Sequence, residues 1–140
     1  MTSHFRPELY WLAAVAAMTG LLWIPYIANR IRELGPPAFQ WFPPADPAPI
    51  APWAGRAMRA HSNAMENLAI FAPLALAVVA AGVGDASTAL ASEIYFWARL
   101  AHWVVCLFGF PILPRTVAFL IGVACQLTLG WKILSAWPVG

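Results

Sequence analysis

An all-α membrane protein, built as a bundle of four transmembrane helices, is the fold class this sequence predicts. Three observations carry it. Hydrophobic residues make up 61% of the 140-residue chain and charged residues 10%, against about 25% charged in an ordinary soluble domain. The apolar residues fall into runs of roughly the twenty needed to cross a bilayer. Eight Trp and three Tyr fit interfacial anchoring belts. The length suits a single domain, residues 1–140. So apolar a chain of this size cannot hide its hydrophobic surface as a soluble monomer. Disorder is excluded by the same composition. A net charge of +2 offers no stripe for a nucleic-acid backbone.

The first span is read over residues 9–28, which contain no charged residue, with Pro25 placed to kink its end. A Pro-rich loop follows over about 30–54, holding seven of the thirteen prolines between Pro36 and Pro52. The second span covers about 57–81, with its polar beginning projecting beyond the apolar block. The third runs over about 88–109 and carries Glu93, Arg99 and His102, then Pro111 and Pro114 form a turn. The fourth covers about 116–136. An even number of spans leaves both termini on one side.

Lys and Arg set the orientation. Arg30, Arg32, Arg56, Arg59 and Arg115 flank the first and third connections, whereas Arg6 and Lys132 lie on the other side. The positive-inside rule then puts the Pro-rich loop in the cytoplasm and both termini outside it. The Ala-rich composition and Pro-rich loop suggest a bacterial inner membrane. Cys106 and Cys125 lie in apolar stretches and form no disulfide framework.

Ionisable groups inside a membrane are costly and face partners or cavities. Arg59, Asn63 and Glu66 are spaced i, i+4 and i+7, on one face of the second helix. A cation, an amide and a carboxylate in one stripe suit a polar ligand bearing both ammonium and carboxylate groups. Arg99 and His102 share a face of the third helix, and Arg115 with Thr116 opens the fourth. Topology gathers these cations, with Arg30 and Arg32, at one membrane edge over a buried Glu66. Each has a plainer reading. Arg30, Arg32 and Arg56 serve as positive-inside residues, Glu66 ties helices by pairing with Arg99 or His102, and His61 is structural. Asn67 and Gln126 make interhelical hydrogen bonds. A metal site on His61 and His102 lacks further ligands at a recognisable spacing.

The segment from Arg59 to Glu66 resembles the R-x-x-x-N-x-x-E signature of the MAPEG family, the membrane-associated proteins in eicosanoid and glutathione metabolism. Arg99-Leu100-Ala101-His102, Pro111 and Arg115-Thr116 are similar to the corresponding later segment. The resemblance runs from Trp23-Ile24-Pro25-Tyr26 to the fourth helix. It implies a homotrimer of four-helix bundles that binds glutathione between subunits near the cytoplasmic side. The family includes microsomal glutathione transferases and leukotriene and prostaglandin synthases. By position, Arg30, Arg59, Asn63, Glu66, His102 and Thr116 are implied glutathione contacts, and Arg115 is the catalytic arginine implied to stabilise the thiolate. Arg115 would do so as a donor, since arginine does not deprotonate in proteins.

The departures bear on activity. Cys106 and Phe119 stand where active members carry aromatic hydroxyls, Ser62 where the prostaglandin-forming branch has arginine, and Asn67 where the leukotriene-forming branch has tyrosine. They argue against eicosanoid synthesis. The expectation is a glutathione transferase or peroxidase acting on lipophilic electrophiles, with membrane lipids and other copies of itself as partners. Two rival readings are a non-catalytic lipid- or thiol-binding scaffold whose charges lock helices, and a small transporter. The absence of repeats and discontinuous helices opposes the transporter.

Overall fold

The computed structural model describes residues 6–36 and 47–137, and every described regular element is helical. In chain order these are α1 (Pro7–Leu21), α2 (Ile24–Leu34), α3 (Pro52–Ala80), α4 (Ala86–Phe108) and α5 (Ile112–Ser135). Residues 37–46, the middle of the expected Pro-rich loop, lie outside the described part.

The first apolar stretch is two helices rather than one. Pro25 has no N–H to give the carbonyl of Leu21, and α1 ends at that residue. α2 restarts with Pro25 in its first turn, where a missing donor costs nothing. It continues to Leu34, so Arg30 and Arg32 are helical residues and not part of a loop as expected. Glu33 then fastens the returning chain: its carboxylate accepts from the backbone N–H groups of Ile50 (3.1 Å) and Ala51 (3.0 Å) and from Asn29 Nδ2 (2.7 Å).

Three stretches are long and apolar enough to cross a membrane: Pro7–Leu34, Pro52–Ala80 and Ile112–Ser135. The 29 residues of α3 span about 43 Å at 1.5 Å per residue, more than the roughly 30 Å hydrocarbon core. α4 has 23 residues, yet its composition is more polar. Its polar groups turn inward: Thr88, Ser92, Arg99 and His102 are all buried, together with Tyr95. Leu90, Ile94 and Trp97 point outward. The helix is thus polar towards the bundle and apolar towards its surroundings, the arrangement a lipid-facing element needs.

Small residues let the helices approach. Ala54, Ala57, Ala60 and Ala64 form a buried stripe along α3. The apolar core gathers Val15 from α1, Phe71 and Val78 from α3, Tyr95 from α4, and Cys125 and Leu129 from α5. Phe71 and Tyr95 stack with ring centroids 3.9 Å apart. Gln126 Nε2 donates to the backbone oxygen of Asn67 at 3.1 Å and to Tyr95 Oη at 3.4 Å, joining α5 to α3 and α4.

The two ends of α4 are closed by different devices. At the start, Asp85 accepts from the N–H groups of Ser87 and Thr88, and Thr88 Oγ1 accepts from Asp85 N, a capping box. Lys132 of α5 forms an ion pair with the same Asp85. Thr88 Oγ1 also donates to the buried carboxylate of Glu8 at 2.5 Å, tying α1 to this end. At the finish, Gly109 takes φ +72°, which a residue with a Cβ rarely adopts. The turn lets α5 begin at Ile112, several residues earlier than expected, because Pro114 is harmless in a first helical turn.

A cation-lined cleft between α3, α4 and α5

The end of the bundle at Gly109 carries the polar chemistry. α3 presents Arg56, Arg59 and Asn63 on successive turns of one face. α4 presents His102 and Cys106, also one turn apart, and the first turn of α5 presents Arg115 and Thr116. These side chains line one cleft of about 400 Å³, walled on its apolar side by Phe110 and Phe119. Among the described residues, three that line it are arginines and none is Asp or Glu. The cleft is therefore suited to an anion, and its volume is within the usual range for small-molecule sites, about 300–1,000 Å³.

The arginines do different work. Arg56 donates from Nε to the backbone oxygen of Cys106 (3.1 Å) and from Nη2 to that of Leu107 (3.2 Å). It adds donors to the last carbonyls of α4, of which that of Cys106 also accepts from the Gly109 N–H at 3.2 Å, and meets the negative end of the helix dipole. Arg59 and Arg115 are exposed in the cleft, and no hydrogen bond or ion pair holds either among the described residues. Their donors face whatever enters. Behind the lining, buried Arg99 donates from Nη2 to Asn63 Oδ1 at 2.6 Å. Its Cζ lies 6.0 Å from the centroid of the Phe119 ring.

His102 is buried, and its Nε2 is 3.9 Å from Cys106 Sγ. Its Nδ1 has no partner among the described residues. Thr116 Oγ1 donates to the backbone oxygen of Ile112 at 3.0 Å, so towards the cleft this hydroxyl is an acceptor.

The fold thus brings together five of the seven residues singled out from sequence: Arg59, Asn63, His102, Arg115 and Thr116. Arg30 and Glu66 do not line the cleft. Arg30 is half-buried on α2, and the cations that line the cleft are Arg56, Arg59 and Arg115. Glu66 is exposed on α3 rather than buried, because that side of the helix is left uncovered by the bundle. Asn63, not Glu66, is the partner of Arg99. From sequence, Arg56 reads as a positive-inside residue one turn before the Arg59–Asn63–Glu66 stripe. Its capping role has no sequence signal, since the carbonyls it binds lie about fifty positions further on. His61 accepts or donates at Nδ1 with Tyr26 Oη, 2.8 Å away, a structural link between α2 and α3.

A sequence model of the MAPEG family matches residues 9–135. The chain belongs to the MAPEG family. It is accordingly a helical membrane protein of the group concerned with eicosanoid and glutathione metabolism, and the match extends over all five helices of the bundle. Neither a curated protein nor a solved structure matches the chain.

Proposed function

We propose that this MAPEG protein binds glutathione in the cleft between α3, α4 and α5 and uses it against lipophilic electrophiles, as a transferase or a peroxidase. One observation carries the reading: a small-molecule-sized cleft lined by three arginines and no carboxylate. Glutathione brings two carboxylates and, when reactive, a thiolate. Arginine binds carboxylates through paired donors, and Arg59 and Arg115 have donors without a protein partner among the described residues. Arg115, on the rim with Thr116, is the donor assigned to the thiolate. Asn63 engages Arg99 through its oxygen, which leaves its amide nitrogen to donate to the ligand. The aromatic side of the cleft, Phe110 and Phe119, suits a second substrate arriving from lipid.

Glutathione also carries an ammonium, and among the described residues of one protomer the cleft lining includes no acidic side chain to accept it. Glu66 stands exposed on α3, where a membrane-embedded carboxylate needs a partner. The reading therefore includes assembly as a homotrimer, with sites completed between copies. It also includes a multi-pass protein with α4 as a full span, the arginine-rich end in the cytoplasm of a bacterial cell, and both termini outside.

Calorimetry on the detergent-purified protein tests the assignment. Saturable glutathione binding, one site per chain, should be lost in Arg59→Ala and Glu66→Gln. A non-catalytic scaffold is the second reading, favoured by Arg56 and Arg99 being engaged by carbonyl and amide oxygens of the bundle itself. Folded protein that binds no glutathione at millimolar concentration would select it.

A further inference from the structure

We propose that Cys106 is the peroxide-reactive group of this cleft and that its oxidised form is reduced by a thiol from outside the chain. The inference rests on the glutathione reading for the identity of that thiol, but not for the reaction of Cys106 itself.

Four observations place the chemistry. Cys106 is half-buried and lines the cleft. His102, one turn earlier on α4, is 6% exposed and has its Nε2 3.9 Å from the Cys106 sulfur, while its Nδ1 has no partner among the described residues. An imidazole so placed can take the thiol proton. Arg59 and Arg115 line the same cleft, where their donors can meet an anionic oxygen or sulfur formed during the reaction. Finally, the chain has two cysteines, and Cys125 is buried in the apolar core beside Phe71 and Leu129, away from the cleft lining. No cysteine of the same protomer is positioned to resolve an oxidised Cys106, so an external thiol must do it.

The sequence of steps balances. Cys106 gives its proton to His102 Nε2, and the sulfur attacks the terminal oxygen of a lipid hydroperoxide. The S–O bond forms as the O–O bond breaks, and the departing alkoxide takes the proton from His102 to become an alcohol. Sulfur is oxidised to the sulfenic acid by two electrons and the peroxide is reduced by two. A first thiol, as thiolate, attacks that sulfur; an S–S bond forms, and hydroxide leaves with the thiol's proton as water. A second thiol attacks the external sulfur of the mixed disulfide and releases Cys106 as thiolate. The sum is one hydroperoxide and two thiols giving alcohol, water and one disulfide.

The test treats the full-length protein in detergent with cumene hydroperoxide and dimedone, a sulfenic-acid trap, and maps the adduct by peptide mass spectrometry. The adduct should form on Cys106 in wild type and in Cys125→Ser, and be absent in Cys106→Ser. His102→Gln should slow its formation roughly a hundredfold and flatten its pH profile, which a purely structural histidine would not do. With glutathione present from the start, a glutathionyl group should form on Cys106 in place of the dimedone adduct, and hydroperoxide turnover should vanish in Cys106→Ser and Cys106→Ala, both folded by circular dichroism. Wild-type turnover in those two variants, or an adduct confined to Cys125, overturns the proposal. Glutathione binding without any adduct on Cys106 also overturns it while sparing the glutathione reading. A sulfenic acid on Cys106 that dithiothreitol added before dimedone removes, and that glutathione added before dimedone leaves to be trapped, supports it and removes glutathione as the thiol.

Discussion

Arg99 of α4 and Asn63 of α3 are joined by a 2.6 Å hydrogen bond from Nη2 to Oδ1, deep enough that the arginine is 2% exposed. No other side chain or carbonyl engages Arg99 Nε or Nη1 among the described residues. The bond is therefore the main internal support of a cation held inside the bundle, where leaving a charge unpaired is expensive. Asn63→Ala should lower stability by about 2 kcal/mol, the scale of a hydrogen bond to a charged group. Asn63→Asp keeps an oxygen acceptor at the same place and should recover most of the loss. SDS-induced unfolding from mixed micelles measures both, and equal losses in the two variants would show that the contact contributes nothing specific.

Arg56 and Gly109 form a second unit at the end of α4. Arg56 crosses from α3 to cap Cys106 and Leu107, and Gly109 turns beneath it with φ +72°. A Cβ at Gly109 would stand 3.0 Å from Arg56 Cζ. Gly109→Ala thus combines an unfavourable left-handed conformation with a displaced cap, and should cost about 1–2 kcal/mol. Arg56→Met should cost a similar amount through the lost charge-assisted bonds. It should weaken glutathione binding less than Arg59→Ala, since the Arg59 donors are not engaged among the described residues. Thermal unfolding and calorimetry on the same preparations separate the two arginines.

The opposite end of α4 gives a pH dependence. Asp85, in the short connection outside the spans, has its carboxyl held well below the ordinary value of 3.8, first by Lys132 and then by Ser87 and the Thr88 N–H. A carboxyl depressed on folding contributes stability that is complete above its unfolded value and is lost as pH falls towards its folded one. The wild-type melting temperature should therefore fall as pH drops below 3.8. Asp85→Asn retains a capping side chain without the charge. It should melt lower than wild type near neutrality and converge with it in acid. Parallel acid profiles would assign the dependence to other carboxyls.

The bundle was legible in the sequence because membrane helices are written in composition and length, and the polar stripe was legible because i, i+4 and i+7 share a helical face. Arg59 and Asn63, two members of that stripe, line the same cleft. Where the reading went astray, the cause was tertiary. Pro25 interrupts the first helix, and α2, which restarts around it and is linked to α3 through Tyr26 and His61, carries Arg30 and Arg32 into helical positions. Glu66 shares the helical stripe with Arg59 and Asn63, yet α4 and α5 cover only part of that stripe and leave Glu66 exposed. Periodicity fixes the face on which a residue lies; it does not fix how far the neighbouring helix reaches across that face. Glu8 and Thr88 illustrate the same limit, since their 2.5 Å contact joins positions eighty residues apart.

Arg115 distinguishes a catalytic cleft from a binding one. It sits in the first turn of α5, exposed, without a protein partner among the described residues, and shares the cleft with Cys106 and Thr116. Removing it should leave the fold intact, because its neighbours in that turn do not depend on it: Thr116 bonds the backbone of Ile112 and Ala118 supplies the buried contact. If its donors hold a thiolate as the new bond forms, their loss acts on the transition state as well as on binding. Loss of a single donor of this kind costs about 10²–10³ in kcat. Arg115→Ala should thus reduce glutathione-dependent turnover of a lipophilic electrophile by about that factor, with the assembly state on size-exclusion chromatography unchanged. Arg115→Lys keeps the charge but not the planar fork and should fall between the two. A variant that turns over like wild type would return Arg115 to the role of an ordinary positive-inside residue and leave Arg59 as the cation that matters.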